Sequence, residues 1–302
     1  MKVPSGGLHL PFYRAALSLD LYGAYSDVDA GTSRTAVGDL QFNGRGRALG
    51  SRLGWILPRL ADADLRLAVG LDQRTYLNQC GIQGLPEGAC GSAGESVSVQ
   101  PVTVELSMRG AGTVAWSASA AWSRNLQWGG RWSEDARFEA VRPGARPHYA
   151  TWRLSGSLAA PMPADWQLLA RASVQHTDDA LVPGEQFGIG GASSVRGYEE
   201  RELAGDRGVS VAVELASPTL PIPASYGLLQ ALLFADAGQV DNRLDTPCLE
   251  DRRRCTLAGM GVGWRWQREG WQARLAVAHA LRDGATTGRH DTRAHLLVSA
   301  SF

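Results

Sequence analysis

The chain has 302 residues, with 30 Lys plus Arg balanced by 30 Asp plus Glu, so no net field points to a nucleic-acid partner. Lys2 is the sole lysine; every other cation is an arginine. No run of about 18 apolar residues occurs, which excludes a membrane-spanning helix but not a barrel, whose strands alternate and average near neutral.

In chain order, residues 1–16 read as an N-terminal remnant outside the main domain. No secretory signal opens them, so the stretch either belongs to a longer chain or argues against an exported location. From residue 17 onward, period-two alternation dominates. Twelve strands are predicted, roughly at 17–27, 39–58, 63–78, 96–110, 113–128, 149–161, 165–177, 207–217, 226–238, 256–268, 270–282 and 293–302. The second is long, with a bend expected at Gly44-Arg45-Gly46. Near Pro101 the apolar parity slips from Val97 and Val99 to Val102, Val104 and Leu106, which predicts a β-bulge. Residues 113–128 alternate most cleanly: Val114, Trp116, Ala118, Ala120, Trp122, Leu126 and Trp128 share one face, and Ser117, Ser119, Ser123, Asn125 and Gln127 the other.

Most strands exceed the usual length and suit a bilayer crossing. Short connections at 58–63, 110–112, 161–165 and 268–270 alternate with long ones at 28–38, 79–95, 129–148, 178–206, 239–255 and 283–292. That is the rhythm of an outer-membrane barrel, with short periplasmic turns and long external loops. The Pro-rich link 216–225 does not fit the rhythm. Trp128, Trp152, Trp166, Trp266 and Trp271 sit near strand ends, where an aromatic girdle meets headgroups. A soluble β-sandwich or propeller is the alternative; it requires the tryptophans to be packed inside.

The cysteines form two close pairs in long loops, Cys80 with Cys90 and Cys248 with Cys255. Local disulfides are favoured over free thiols or a four-cysteine metal site, since neither spacing fits a zinc knuckle. No Ser–His pair stands out around His176, His279, His290 and His295, so an outer-membrane lipase or protease is the weaker alternative. No catalytic residue, cofactor or metal ligand is assigned. The last strand ends on Phe302, on the apolar face of Leu296, Val298 and Ala300. A terminal Phe so placed resembles the signal read by the barrel-assembly machinery.

Two motifs carry more. Residues 186–198 contain Gly188, Gly190 and Gly191 and close on Val195-Arg196-Gly197-Tyr198; Phe234-Ala235-Asp236-Ala237-Gly238 follows one strand and one turn later. In order and spacing they resemble the Val-Arg-Gly-Tyr loop and Phe-x-Asp-x-Gly strand of the two-partner secretion transporters (TpsB, the ShlB/FhaC/HecB-like haemolysin secretion/activation proteins) within the outer-membrane insertase and translocase superfamily. The resemblance implies an all-β, antiparallel transmembrane barrel in a Gram-negative outer membrane, with about 12 strands visible of a family 16 (residues 17–302) and the loop 178–206 folded into the lumen. It implies that the first four family strands, the plug helix and the POTRA domains are not in this chain. It implies an Arg196–Asp236 ion pair, with Glu214 as a possible second partner, and a secreted exoprotein client of haemolysin or adhesin type. Outer-membrane lipid and the assembly machinery are the other expected partners. An insertase that helps barrels fold, and a passive porin using Arg153, Arg171, Arg265 and Arg274, are the alternative functions.

Overall fold

The computed structural model describes residues 4–35, 38–82, 90–244, 246–249 and 251–301. Its strands are β1 (Ser5–Phe12), β2 (Leu17–Thr35), β3 (Gly38–Leu60), β4 (Ala63–Ile82), β5 (Val97–Val99), β6 (Pro101–Ala111), β7 (Ala115–Asn125), β8 (Ala150–Pro161), β9 (Gln167–His176), β10 (Phe187–Ile189), β11 (Leu203–Gly205), β12 (Arg207–Ala216), β13 (Leu228–Asp241), β14 (Arg254–Arg268), β15 (Trp271–Ala280) and β16 (Thr292–Ala300), with one α-helix, α1 (Asp135–Val141). All but β10 and β11 join one antiparallel sheet in chain order, with β5 and β6 both pairing β4 and β12 following β9, so no connection crosses another. The sheet is the wall of a transmembrane barrel. Its curvature brings Arg109 of β6 and Arg265 of β14 to the same cavity, although five strands lie between them in the sheet.

Alternation sorts the side chains as expected. On the inner face Ser107, Ser119, Ser155, Ser173 and Ser210 are successive cross-strand neighbours, a polar row over five strands. The Ser119–Ser155 and Ser117–Ser157 hydroxyls each pair at 2.8 Å. On the outer face Leu49, Trp55, Val69, Leu71, Trp152, Val211, Val262 and Val298 stand exposed, and among the described residues no tryptophan is buried. Lipid is the solvent that makes such an apolar outer face stable.

Several expectations are corrected. The 1–16 segment carries an additional strand, since β1 pairs with β2 from Ser5↔Ala24 to Phe12↔Leu17. The expected loop 28–38 is instead the far end of a hairpin, with β2 and β3 paired out to Thr35↔Gly38. No bend interrupts β3: Gly44, Arg45 and Gly46 keep one register with both neighbours. No bulge exists at Pro101 either, because Arg74↔Val99 and Leu71↔Val102 share one register. The parity slips for a different reason. Val97 and Val99 face inward, onto an apolar cluster with Phe138, Val141, Tyr149, Leu181 and Val182. Residues 129–148, expected as plain loop, supply α1 to that cluster. The 216–225 link stays beside β13 (Ser217 N–H to Ala231 O, 2.9 Å; Leu220 N–H to Leu229 O, 2.8 Å), but its prolines lack N–H donors and the ladder lapses.

Both local disulfides form, Cys80–Cys90 and Cys248–Cys255. Cys255 belongs to a buried cluster inside the barrel and Cys248 packs against it, whereas Cys80 and Cys90 lie outside any such cluster. Replacing Cys248 and Cys255 by Ser is therefore expected to cost about 2–3 kcal/mol locally and to speed proteolysis of residues 186–206, with the Cys80/Cys90 pair leaving that region unchanged. Limited proteolysis with mapped cleavage sites checks this. Phe302 lies outside the described residues.

Candidate functional site: the lumen loop and its anchors

The loop between β9 and β12 turns back into the barrel as a short hairpin, with Phe187↔Gly205 and Ile189↔Leu203 pairing β10 to β11. Its tip carries the arginine motif. Gly197 adopts φ +99°, a conformation that lets the chain turn just after Arg196.

Arg196 is almost fully buried, as are Asp236 and Glu214. Its Nε and Nη2 donate to the two carboxylate oxygens of Asp236, each at 2.6 Å, a bidentate fork. Its backbone N–H donates to Asp236 Oδ2 at 3.1 Å. Nη1 donates to Glu214 Oε2 at 2.6 Å, so Glu214 joins Asp236 rather than displacing it. The guanidinium also lies 3.5 Å from the centroid of the Phe234 ring, in cation–π contact. The sheet register explains the convergence: Glu214 sits opposite Phe234, and Ala212 opposite Asp236. Strand parity turns Glu214, Phe234 and Asp236 to one inner face, and the small Ala212 leaves room beside the carboxylate. Glu214 also contacts Arg274 of β15. Two carboxylates and two guanidinium groups thus neutralise one another away from bulk water, as buried charges require.

The glycines make the approach possible. A Cβ on Gly238 would lie 3.0 Å from the methyl groups of both Ile189 and Val195. A Cβ on Gly259, directly across from Asp236, would run into the Arg196 carbonyl. Gly238→Val is expected to overpack this contact, costing about 1–3 kcal/mol, and to lift the loop from the wall. Faster cleavage near residues 190–200, with barrel heat-modifiability retained, is the readout.

Tyr198 is fully buried, and its hydroxyl lies 2.8 Å from the carbonyls of Ala258 and Arg282 while accepting from the Arg282 N–H at 3.1 Å. Burial pushes its phenol pKa up, so the group stays a neutral donor. Val195 and Tyr198 pack with Ile189 and Leu203 of the loop and Val240, Leu257 and Ala280 of the wall. The Gly197 N–H donates to His295 Nε2 of β16 at 3.2 Å, a contact not anticipated from sequence.

Two further anchors were also not anticipated. Glu185, at the loop's start, accepts from Arg74 at 2.8 Å and Tyr76 at 2.9 Å on β4 and pairs with Arg153 at 3.4 Å on β8. Asp206, at its end, takes a bidentate fork from Arg142 (2.5 and 2.9 Å) and the N–H groups of Leu181 and Arg243. The only local hint was an acid at each end of a glycine-rich loop; the partners lie 25 to 111 residues away. Of the lumen arginines singled out from sequence, Arg153 and Arg274 are held by acids, while Arg171 and Arg265 form no ion pair among the described residues and line a cavity with Arg109. Among the described histidines, His279 lies near Thr292 and His290, at 3.2 and 3.3 Å. Among the described residues no helix is long and apolar enough to cross a membrane.

Comparison with known proteins identifies the family and the fold. Residues 5–266 match the family model described as haemolysin secretion/activation protein ShlB/FhaC/HecB. The outer membrane transporter CdiB of Escherichia coli is 27% identical over 217 residues, covering 70% of this chain and 33% of its own length. CdiB of Dickeya dadantii (strain 3937) is 28% identical over 151 residues, 49% of this chain and 26% of that one. The chain thus spans about a third of the curated relatives it matches. Among solved structures, CdiB from Escherichia coli superposes with TM-score 0.81 at 20% identity, over 99% of this chain and 53% of its own. BamA from Haemophilus ducreyi lacking POTRA domains 1–3 gives TM-score 0.66 at 16% identity, over 99% and 62%. Both are similar in fold, and the fold with these relatives places the chain in a Gram-negative outer membrane.

Proposed function

Because the chain belongs to the ShlB/FhaC/HecB family of haemolysin secretion/activation proteins, we propose that its barrel is the outer-membrane pore through which an unfolded exoprotein, of haemolysin or adhesin type, leaves by two-partner secretion. The observation that carries this reading is the Arg196–Asp236–Glu214 node, which pins the loop tip inside the lumen by buried charge pairs beside the apolar cluster of Val195 and Tyr198. Charge pairs of this kind form or break as a unit and give a loop two discrete positions. An extended client passes as the loop moves between two anchored positions, so a loop that cannot re-anchor does not secrete; the serine row and the lumen arginines line the client's path. The chemistry is passage, not bond making, and needs no cofactor. A passive porin needs a clear lumen at rest, which the anchored loop opposes. The barrel-assembly machinery would insert the chain, and outer-membrane lipid would surround it.

The test is secretion of the partner exoprotein into the medium by the full-length protein. Arg196→Ala and Asp236→Ala are expected to abolish it while the barrel still inserts and shows heat-modifiable mobility. Wild-type secretion by both variants would remove the node from the mechanism.

A further inference from the structure

A second arginine cluster lies on the outer face of the wall. Arg45 and Arg47 of β3 share strand parity with Leu49, Leu53 and Trp55, which are 66%, 48% and 50% exposed to the lipid side. On the neighbouring strand, exposed Val69 and Leu71 give way to Gln73 and Thr75, and Thr75 pairs with Arg47 in the register. The run of exposed apolar residues therefore stops at one level on both strands, although Leu77 of β4 lines the cavity beyond it, and arginine begins roughly 7 Å above Leu49, two residues along β3. Beyond β5, the chain after β7 closes over the same spot, with the Ser98 N–H donating to the Trp132 carbonyl at 2.8 Å.

The result is a cavity of about 650 Å³ lined by Arg45, Arg47, Arg131, Arg137, Trp132 and Glu95. Arg131 and Arg137 each lie 4.6 Å from the Trp132 ring centroid. Glu95 pairs with Arg137 at 3.4 Å, and Asp27 with Arg45 at 3.6 Å. Arg47 and Arg131 form no ion pair among the described residues, so the cavity keeps about two uncompensated positive charges. Guanidinium groups held in place by an aromatic ring present their N–H donors in a fixed fork, which matches phosphate.

The cavity is at the end of the barrel that bears the long connections and both disulfides, the external end of an outer-membrane barrel. The lipid at that level, in the external leaflet of a Gram-negative outer membrane, is a glycolipid with a phosphorylated disaccharide headgroup. We propose that this cavity is a binding site for the headgroup phosphates of that glycolipid, with Arg47 and Arg131 as the principal donors. The inference rests on the membrane setting and is independent of what passes through the pore.

Native mass spectrometry of the detergent-solubilised chain, titrated with bis-phosphorylated lipid A, tests it. The Arg47→Gln/Arg131→Gln double variant is expected to bind lipid A at least 10-fold more weakly than wild type. Phosphate-free lipid A should bind wild type equally weakly, and Arg59→Gln, at the opposite end of β3, should change nothing. Unaltered lipid A binding in the double variant overturns the site, as does equal binding of the phosphate-free lipid. Inorganic phosphate binding as tightly as lipid A would make this a free-anion site and overturn the lipid assignment. Heat-modifiable mobility of each variant excludes misfolding as the cause of any loss.

Discussion

Arg196→Ala is expected to detach the loop tip and leave the barrel standing. The substitution removes one side chain but strands two carboxylates, Asp236 and Glu214, on the same inner face with only Arg274 to balance them. Breaking a buried pair from one side costs about 3–5 kcal/mol because the remaining charge is uncompensated. The strands have their own ladders, and the loss falls on the loop. Arg196→Lys should recover little, since an ammonium cannot serve Asp236 bidentately and Glu214 at once. Exchanging the charges, Arg196→Asp with Asp236→Arg, should recover part of the loss through direct pairing. Planar-bilayer recordings give the readout: larger and more frequent openings for Arg196→Ala, intermediate for Lys, and partial closure for the exchange. Wild-type conductance in Arg196→Ala would mean that apolar packing of Val195 and Tyr198 alone holds the loop.

The second large effect is expected at the other end of the loop, from Arg142→Ala. Asp206 is fully buried and Arg142 nearly so. The fork between them ties α1, the loop and the start of β12 into one cluster, and its removal should cost a further 3 kcal/mol or about that. Acid should act on the same anchor. Burial pushes the Asp206 pKa up, but the Arg142 fork and the N–H groups of Arg243 and Leu181 outweigh it, and the carboxyl is held below its usual value. A lowered folded pKa means the stabilisation is fully present above the unfolded value, about 3.9, and fades as pH falls through the folded one. Loop protection from protease should therefore hold from neutral pH down to about 4 and decline below it, with Arg142→Ala flat over that range. An Arg142→Ala chain as protected as wild type at pH 7 would show the anchor to be redundant.

Most barrel strands and the two faces of each were legible in the sequence because alternation is local, and strand length, loop rhythm and tryptophans near strand ends told which face meets lipid. A period of two places Leu65, Leu67, Val69 and Leu71 on one face whatever the rest of the chain does. Arg196, Asp236 and Glu214 were legible for a related reason. Two motifs with known order fixed which strands face each other, and parity then fixed which side chains meet. Helix α1 was not, since seven residues make two turns and leave no periodic trace. Nor was β1, whose Leu8, Leu10 and Phe12 alternate with Gly7, His9 and Pro11 over too short a span. At Val97 and Val99 the pattern itself misled: an apolar inner face reads as a register slip unless something apolar is known to sit inside. The Glu185, Asp206 and outer-face arginine clusters were decided by tertiary structure alone. Their members are brought together by the curvature of the sheet and the fold-back of two long loops, and neither of those is a property of any stretch of sequence.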